Sequence, residues 1–159
     1  MRHKERQIND PADLNEVIKK SEYAVFAMLD GDKPYVVPLN FAWDGEYFYA
    51  HSGRAGKKLE LLAKNPEVQF CMVPQAEFVR INNENACYAS MRYESVIVSG
   101  RVEMLSAERD PEAHERGLRC ITDWFKSGPL PFTPEVLKMT VLLRIKPTEI
   151  IGKRHAGGE

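Results

Sequence analysis

The chain has 159 residues, of which 43% are hydrophobic and 28% are charged. This length corresponds to a single domain, and this composition excludes a wholly disordered chain. Lys and Arg number 22 and Asp and Glu number 23, so the formal net charge is −1, which excludes a generally basic nucleic-acid-binding protein.

The first predicted element is a helix over residues 10–20. Asp10 is a favourable N-cap and Pro11 suits the first helical position. Leu14, Val17 and Ile18 form an apolar stripe at helical spacing, which we expect to face a core. The helix is therefore expected to pack against whatever sheet follows.

Three strands are predicted next, over residues 23–29, 35–43 and 46–51. The composition of residues 30–34 predicts a turn, and Asp44-Gly45 is typical of a hairpin. Pro38 lies inside the second strand and cannot donate to a sheet ladder, so it indicates an edge, a bulge or a strand opening. The backbone groups of Val37, Leu39 and Asn40 would then face either solvent or a ligand.

The rest of the chain predicts further strands and peripheral helices. Asn65-Pro66 ends one helix, Gly100 indicates a bulge, and Thr133 is a candidate cap. Strands are predicted over 67–73, 77–81, 91–104, 140–146 and 148–153, and helices over 59–64, 107–125 and 134–138. About seven mostly antiparallel strands predict a mainly β fold, a barrel or sandwich, rather than a parallel α/β sheet.

The cysteines and histidines do not predict a metal site or a disulfide framework. Cys71, Cys87 and Cys120 form no close pair, so we expect small buried hydrophobic residues. The histidines show no metal-ligand spacing, and His114, among charged neighbours on a helix, is expected to be solvated. We therefore expect no bound metal.

The chain shows no targeting or membrane segment in its sequence pattern. Its first ten residues are charged and lack an apolar core, unlike a secretory signal. No apolar run approaches the ~18 residues that would predict a membrane span. The prediction is a cytoplasmic protein that binds neither a membrane nor nucleic acid.

One segment, residues 51–58, has the residue types of an anion site. It joins a strand end to a helix start, where unpaired N–H groups attract anions. Ser52 can donate a hydrogen bond, Gly56 allows close approach, and Lys57 and Lys58 add positive charge. The segment indicates either a phosphate monoester site or a solvated basic first turn, and it matches no nucleotide-triphosphate or Rossmann motif.

The order and spacing of five motifs resemble those of a known family. The motifs are Tyr35-Val-Val-Pro-Leu-Asn40, Tyr49-Ala-His-Ser52, Gly56-Lys-Lys58, Asn65-Pro-Glu-Val68 and Tyr93-Glu-Ser-Val96 followed by Gly100. Together they resemble the pyridoxamine 5′-phosphate oxidase-like FMN-binding split barrels, and within them the nitroimidazole-resistance (Nim) proteins. The resemblance covers nearly the whole chain.

The resemblance implies an antiparallel Greek-key split β-barrel of six strands that forms a homodimer, with FMN in a groove at the dimer interface. It implies a catalytic or substrate-contacting role for His51. Glu94 stands where a basic residue is common, so no phosphate role is transferred to it. The implied cofactor-binding residues are Val36, Val37, Pro38, Leu39, Asn40, His51, Ser52, Lys57, Lys58 and Ser95.

The leading functional hypothesis is an FMN-dependent oxidoreductase, broadly nitroreductase-like, which passes electrons from a reduced donor to a small acceptor. The arginine-rich substrate site of true pyridoxamine phosphate oxidases is not recognisable, which argues against vitamin B6 oxidation. Three alternatives stay open: a haem-binding or haem-degrading protein with His51 or His155 as axial ligand, a deazaflavin-dependent reductase, and a flavin-storing dimer without turnover. The sequence identifies neither the substrate nor the electron donor.

Overall fold

The computed structural model describes residues 3–79, 89–126, 128 and 131–157, and its centre is one eight-stranded antiparallel sheet. The strands are β1 (Gln7–Ile8), β2 (Tyr23–Asp30), β3 (Lys33–Asn40), β4 (Ala42–Trp43), β5 (Phe48–Gly53), β6 (Glu67–Val79), β7 (Ser90–Leu105) and β8 (Thr140–His155). The helices are α1 (Pro11–Lys19), α2 (Lys57–Lys64), α3 (Pro111–Trp124) and α4 (Pro134–Met139).

The strand order explains how the sheet curls into a split barrel. The order is β3-β2-β6-β7-β8-β5-β4, and the short β1 pairs with β8. The chain passes from β3 through buried Phe41 into β4, and β4 pairs with the start of β5. The two ends of the sheet therefore meet, while β3 and β5 approach each other without forming a ladder. The predicted antiparallel split barrel is confirmed.

Aromatic side chains fill the barrel interior. The rings of Phe26 and Phe70 stack with centroids 4.4 Å apart, and Phe48 meets Phe70 edge-on at 5.1 Å. Val96 and Val98 face this core, as the alternation in β7 predicts. One continuous core therefore ties together strands that are distant in sequence.

Helix caps set the helix starts. Asp10 accepts a hydrogen bond from the Ala12 backbone N–H at 2.8 Å, which confirms the first predicted helix. The predicted start of α3 at residue 107 is wrong. Asp110 caps that helix by accepting from the Ala113 N–H at 3.0 Å, and Pro111 takes the first position.

The expectation that His114 is solvated is also wrong. His114 has no exposed surface, because it lies on the face of α3 that packs against the sheet. Its Nε2 donates to the Thr140 carbonyl oxygen at 2.9 Å and so joins α3 to the start of β8. On the same helix, Gly117 allows close contact with Tyr49 and Leu142, since an added Cβ would lie 2.3 Å from the Leu142 side chain.

Two predicted pairs of strands prove to be continuous. The final pieces, 140–146 and 148–153, form the single strand β8, with an irregularity opposite Gly100, where a bulge was predicted. The predicted piece from residue 77 continues β6 as far as Val79. Residues 80–81 and Cys87 lie outside the described residues, whereas Cys71 and Cys120 are free and partly buried. Among the described helices, none is long and apolar enough to cross a membrane.

Candidate functional site

The split between β3 and β5 is the centre of the candidate site. Extending the β4–β5 register would set Asn40 opposite His51 and Pro38 opposite Gly53. No ladder joins these residues in the described part of the chain, although the strands are close. Backbone polar groups on two facing strand edges are therefore directed at one gap, which we call the β3–β5 gap.

Pro38 lies on an edge strand, one of the three predicted possibilities, because among the described residues β3 pairs only with β2. Val36, Pro38 and Asn40 are exposed on the outer face of β3. Val37 and Leu39 turn inward and pack against the core. The packing fixes the strand, and it leaves the outer side chains and one backbone edge accessible.

The start of α2 borders the gap and lacks a side-chain cap. Gly56 is the N-cap, with φ 126° and ψ 159°, and its carbonyl accepts from the N–H groups of Leu59 and Glu60. This positive φ explains the glycine, since a side chain is strained there. The first N–H groups of the helix have no partner within the helix, and they form the positive end of its dipole.

Lys57 is already engaged with the β2–β3 hairpin. Its ammonium pairs with the Asp30 carboxylate and lies 5.6 Å from the centre of the Tyr35 ring. The hydrogen bond to Asp30 raises the pKa of Lys57. Sequence reasoning did not find Asp30 as a partner, because it lies far from Lys57 in the chain. This pair holds α2 against the hairpin whose second strand lines the gap.

Lys58 differs from its neighbour. It is half-buried, and no ion pair satisfies it among the described residues. Burial lowers the pKa of Lys58. Partial burial of the imidazole is the first cause that lowers the pKa of His51, and the charge of Lys58 is the second. An unpaired cation therefore lies near a histidine that is neutral at pH 7.

His51 and Ser52 are neighbours near the end of β5 and point to opposite faces of the strand. Ser52 is half-buried and pairs with Val141 of β8, while His51 pairs with Leu142. On the other side, β4 is too short to cover this end of β5. A single ligand in the gap can therefore contact the side chain of either His51 or Ser52, together with the backbone of the second residue.

The loop before α2 is anchored by a residue that sequence reasoning missed. Arg54 pairs through Nη1 with the Glu108 carboxylate, and it donates to the Lys138 carbonyl oxygen at 2.8 Å. The hydrogen bond from Arg54 is the main reason that the pKa of Glu108 falls to about 2. These contacts fix residues 53–56 against the segments before and after α3. No local sequence pattern indicates them.

Ser95 is not next to the gap within one chain. It lies on β7, three strands from β3 in the sheet order, a separation of about 14 Å at ~4.8 Å per strand. It faces a bulge, since two residues of β6, Val73 and Pro74, oppose it in the ladder. Within one chain, Ser95 is therefore separated from the β3 edge of the gap by three strand spacings.

Glu94 has a structural role within the chain. It accepts from Arg154 Nε at 2.7 Å and from Lys20 Nζ at 3.3 Å, and Arg154 also donates to Asp13 at 3.0 Å. Burial alone would raise the pKa of Glu94, but these hydrogen bonds outweigh it and lower the pKa. The network ties α1 to β7 and β8.

An exposed apolar row crosses the outer face of the sheet. Register places Pro38, Val25, Cys71, Ile97 and Ile151 side by side on five neighbouring strands. Val25 is 38% exposed and Ile97 is 40% exposed. We call this set the outer row. A contiguous apolar surface of this kind is typical of an interaction surface.

The arrangement can hold an elongated ligand with an anionic end. The uncapped start of α2 and Lys58 suit the anion, and the two strand edges offer backbone donors and acceptors to a flat polar ring. The predicted residues of β3, β5 and α2 are thus brought together. Ser95 is the exception within one chain.

Comparison with known proteins agrees with this architecture. A family described as Pyridoxamine 5'-phosphate oxidase matches residues 10–154. An uncharacterized protein, RA0666 of Rhizobium meliloti, is 26% identical over 151 residues, covering 90% of this chain and 91% of its own length.

Two solved structures illustrate the likeness. A candidate 5-nitroimidazole antibiotic resistance protein from Bacteroides thetaiotaomicron is 25% identical, with a TM-score of 0.80 over 92% of this chain and 85% of its own. The flavocytochrome Anf3 from Azotobacter vinelandii is 18% identical, with a TM-score of 0.83 over 99% of this chain and 73% of its own, and this shows the fold alone. With the family match spanning most of its length, the chain belongs to the pyridoxamine 5′-phosphate oxidase family of split barrels.

Proposed function

We propose that this protein binds FMN in the β3–β5 gap and is an oxidoreductase that transfers electrons from a reduced donor to a small acceptor. The observation that carries the proposal is the meeting of two unpaired strand edges with an uncapped helix start beside Lys58. The bound flavin would supply the electron-transfer chemistry, and the chain would supply binding, orientation and electrostatics.

The phosphate end of FMN fits the start of α2. The backbone N–H groups of the first helical turn would donate to phosphate oxygens, and Lys58 would add a charge-assisted hydrogen bond. Gly56 lets the phosphate approach closely, since no atom lies within 4 Å of where a Cβ would stand. Because Lys57 is engaged by Asp30, Lys58 is the one lysine at this helix start without an ion-pair partner among the described residues, which favours a single phosphate over a diphosphate.

The flat ring system would lie along the β3 edge. The pyrimidine side of an isoalloxazine carries alternating carbonyl and N–H groups, which match the alternating groups of a strand edge. Pro38 has no N–H and offers only its carbonyl to that edge, so the further backbone contacts come from Val36 and Asn40, because backbone polar groups alternate between the two edges of a strand. The inward packing of the Val37 and Leu39 side chains holds the strand in place.

His51 is suited to act on a proton or hydrogen bond near the ring. Its lowered pKa keeps the imidazole neutral at pH 7, so one nitrogen can donate and the other can accept. Lys58 contributes to this lowering and also supplies positive charge for any negative charge that develops on the bound cofactor.

We propose further that two copies pair through the outer row. Val36 is 55% exposed and Val73 is 52% exposed beside Val25 and Ile97, so an apolar surface extends over several strands. A second copy is the favoured occupant because Ser95 lies on this face and is three strands from the β3 edge of its own gap. A partner's β7 could bring Ser95 to the flavin.

The test is the visible absorption spectrum of the freshly purified protein, with extraction and mass measurement of the chromophore. We expect two broad flavin bands and the mass of FMN. A sharp Soret band would instead establish the haem alternative, and a deazaflavin mass would establish a deazaflavin-dependent reductase. A colourless protein that takes up no added FMN while remaining folded would overturn the proposal.

Turnover needs a separate measurement. The FMN-loaded protein is mixed with a reduced nicotinamide, and the flavin bands are followed before and after a nitroaromatic acceptor is added. Bleaching followed by acceptor-dependent recovery is expected of a reductase. Bound FMN that never exchanges electrons with several donors and acceptors would favour the flavin-storing alternative.

A further inference from the structure

A second cleft lies between α3 and the β4–β5 hairpin. Its volume is about 540 Å³, within the range of small-molecule pockets. Trp43 and Tyr49 of the hairpin form one wall, and Arg116, Cys120 and Trp124 of α3 form the other. We call this cleft the α3 groove. It shares no lining residue with the β3–β5 gap.

The aromatic walls of the α3 groove are held rigidly. The Trp43 ring stacks on Phe48 with centroids 4.2 Å apart, and its Nε1 donates to Asn15 Oδ1 at 3.0 Å. The Trp124 ring lies 5.9 Å from the Phe41 ring. Rings that are fixed by the core lose little conformational freedom when a ligand packs against them.

The polar groups in the groove are largely satisfied. The Tyr49 hydroxyl donates to Asp44 Oδ2 at 2.8 Å, and the other Asp44 oxygen accepts from the backbone N–H groups of Glu46 and Tyr47. Burial, and then nearby acidic groups, raise the pKa of Cys120 to about 11, so its thiol stays neutral. The groove therefore combines an aromatic surface with four charged side chains, and of these Asp44 is engaged by the hydrogen bonds above.

Of the two arginines that line the α3 groove, one has an ion-pair partner and the other has none among the described residues. Arg119 is engaged, with Nη2 lying 3.6 Å from Glu115 and the guanidinium lying 4.5 Å from the centre of the Phe132 ring. Arg116 is exposed and has no ion-pair partner among the described residues. The acidic Asp123 lines the groove two helical turns away, about 10.5 Å along the axis. An anionic group is therefore expected at the Arg116 end.

We propose that the α3 groove binds a small aromatic carboxylate, with its ring between the two indoles and its carboxylate on Arg116. A guanidinium matches a carboxylate with two parallel hydrogen bonds, and aromatic walls favour a flat ring. This site is separate from the flavin site and does not depend on the proposed redox activity.

The test is calorimetry with 2-naphthoate on the protein loaded with one FMN per chain, or on the protein as purified if it binds no flavin. We expect one site per chain, weakened at least tenfold by Arg116→Gln. The matched control is Arg109→Gln, which removes an exposed arginine just before α3 that lies outside the groove. Naphthamide, which lacks the charge, should bind at least tenfold more weakly.

Tryptophan fluorescence localises the binding, because both tryptophans of the chain line the groove. Naphthoate should change the emission saturably, and Trp124→Phe should alter that response while it preserves an aromatic ring beside Phe41. Absence of saturable binding at millimolar naphthoate would overturn the proposal. So would equal binding by the Arg116→Gln and Arg109→Gln proteins, or displacement of naphthoate by FMN.

Discussion

Asp30 at the end of β2 and Lys57 at the first position of α2 form an ion pair that joins a hairpin to a helix. The two adjacent lysines therefore differ, because Lys57 forms an ion pair within the protein and Lys58 has no ion-pair partner among the described residues. Adjacent basic residues that look equivalent in the sequence are therefore expected to respond differently to substitution.

We expect Lys58→Ala to weaken FMN binding by about tenfold to a hundredfold, since a hydrogen bond to a charged group contributes about 1.5–3 kcal/mol. Lys57→Ala is the matched control and should weaken binding much less, because its ammonium is directed to Asp30. Fluorescence titration of FMN measures both, and the Lys58 effect should shrink at high salt. Equal losses in the two variants would contradict the division of roles.

Gly56 offers a test of the backbone at the helix start. Gly56→Ala meets no atom within 4 Å, so its effect comes from the φ of 126° alone. We expect a loss of stability of about 1 kcal/mol or more, together with weaker FMN binding. Gly53→Ala is the control for stability, because Gly53 has equally open space and no positive φ. Thermal unfolding measures both variants and FMN titration measures Gly56→Ala, and a loss of stability at Gly53 as large as that at Gly56 would count against the argument.

The features that could be predicted from the sequence are those set by residues close together in the chain. Asp10-Pro11 and Asp44-Gly45 are sufficient to place a helix start and a hairpin, because the caps and turns involve residues close in the chain. The same reasoning fails at α3, where the sequence pattern predicts a start at residue 107 and the helix begins at Pro111. The correct N-terminal boundary of α3 is indicated by Asp110 as a helix cap and Pro111 at the first helical position.

Contacts between distant segments were not predictable in the same way. The burial of His114 depends on the Thr140 carbonyl, which the fold brings to α3, whereas its sequence neighbours are charged. The β3–β5 gap depends on strand order, which no periodicity specifies. The predicted residues around Pro38 and Lys58 are brought together by that order, while their roles toward FMN stay predictions.

The charge of Lys58 should be measurable at His51. Lys58→Gln is expected to raise the pKa of His51 toward its ordinary value, and only part of the way, because burial is the larger cause of the lowering. Lys57→Gln should leave the His51 pKa nearly unchanged. Proton NMR of the imidazole C–H groups across pH 4–9 measures both. A His51 pKa that does not respond to Lys58→Gln would show that the two groups are not coupled.

The outer row makes a prediction about assembly. Ile97→Lys places a charge in the middle of the row, and we expect it to shift the protein toward a monomer and to weaken FMN binding together. Val136→Lys is the control, because Val136 is a 51% exposed residue on α4 outside the row. Sedimentation velocity and FMN titration measure both effects. A wild-type protein that is monomeric at all concentrations and still holds FMN would refute pairing through the outer row.

The Arg54–Glu108 pair predicts a pH-dependent contribution to stability. The pKa of Glu108 falls from 4.5 to about 2 in the folded protein, so the carboxylate releases its proton more readily when folded. The stabilisation is therefore complete above about pH 5, and it is lost as pH falls toward 2. Both groups are about half exposed, so the effect should be modest and should weaken with salt.

We accordingly expect the unfolding temperature of Glu108→Gln to lie below that of the wild type at pH 7, with the difference shrinking steadily between pH 5 and pH 2. Glu149→Gln, at an exposed glutamate without an ion pair among the described residues, should follow the wild-type curve at every pH. Because Arg54 also anchors the loop before Gly56, Glu108→Gln should loosen FMN binding slightly at pH 7. A difference between Glu108→Gln and wild type that stays constant from pH 7 to pH 2 would mean that the carboxylate charge does not stabilise the loop.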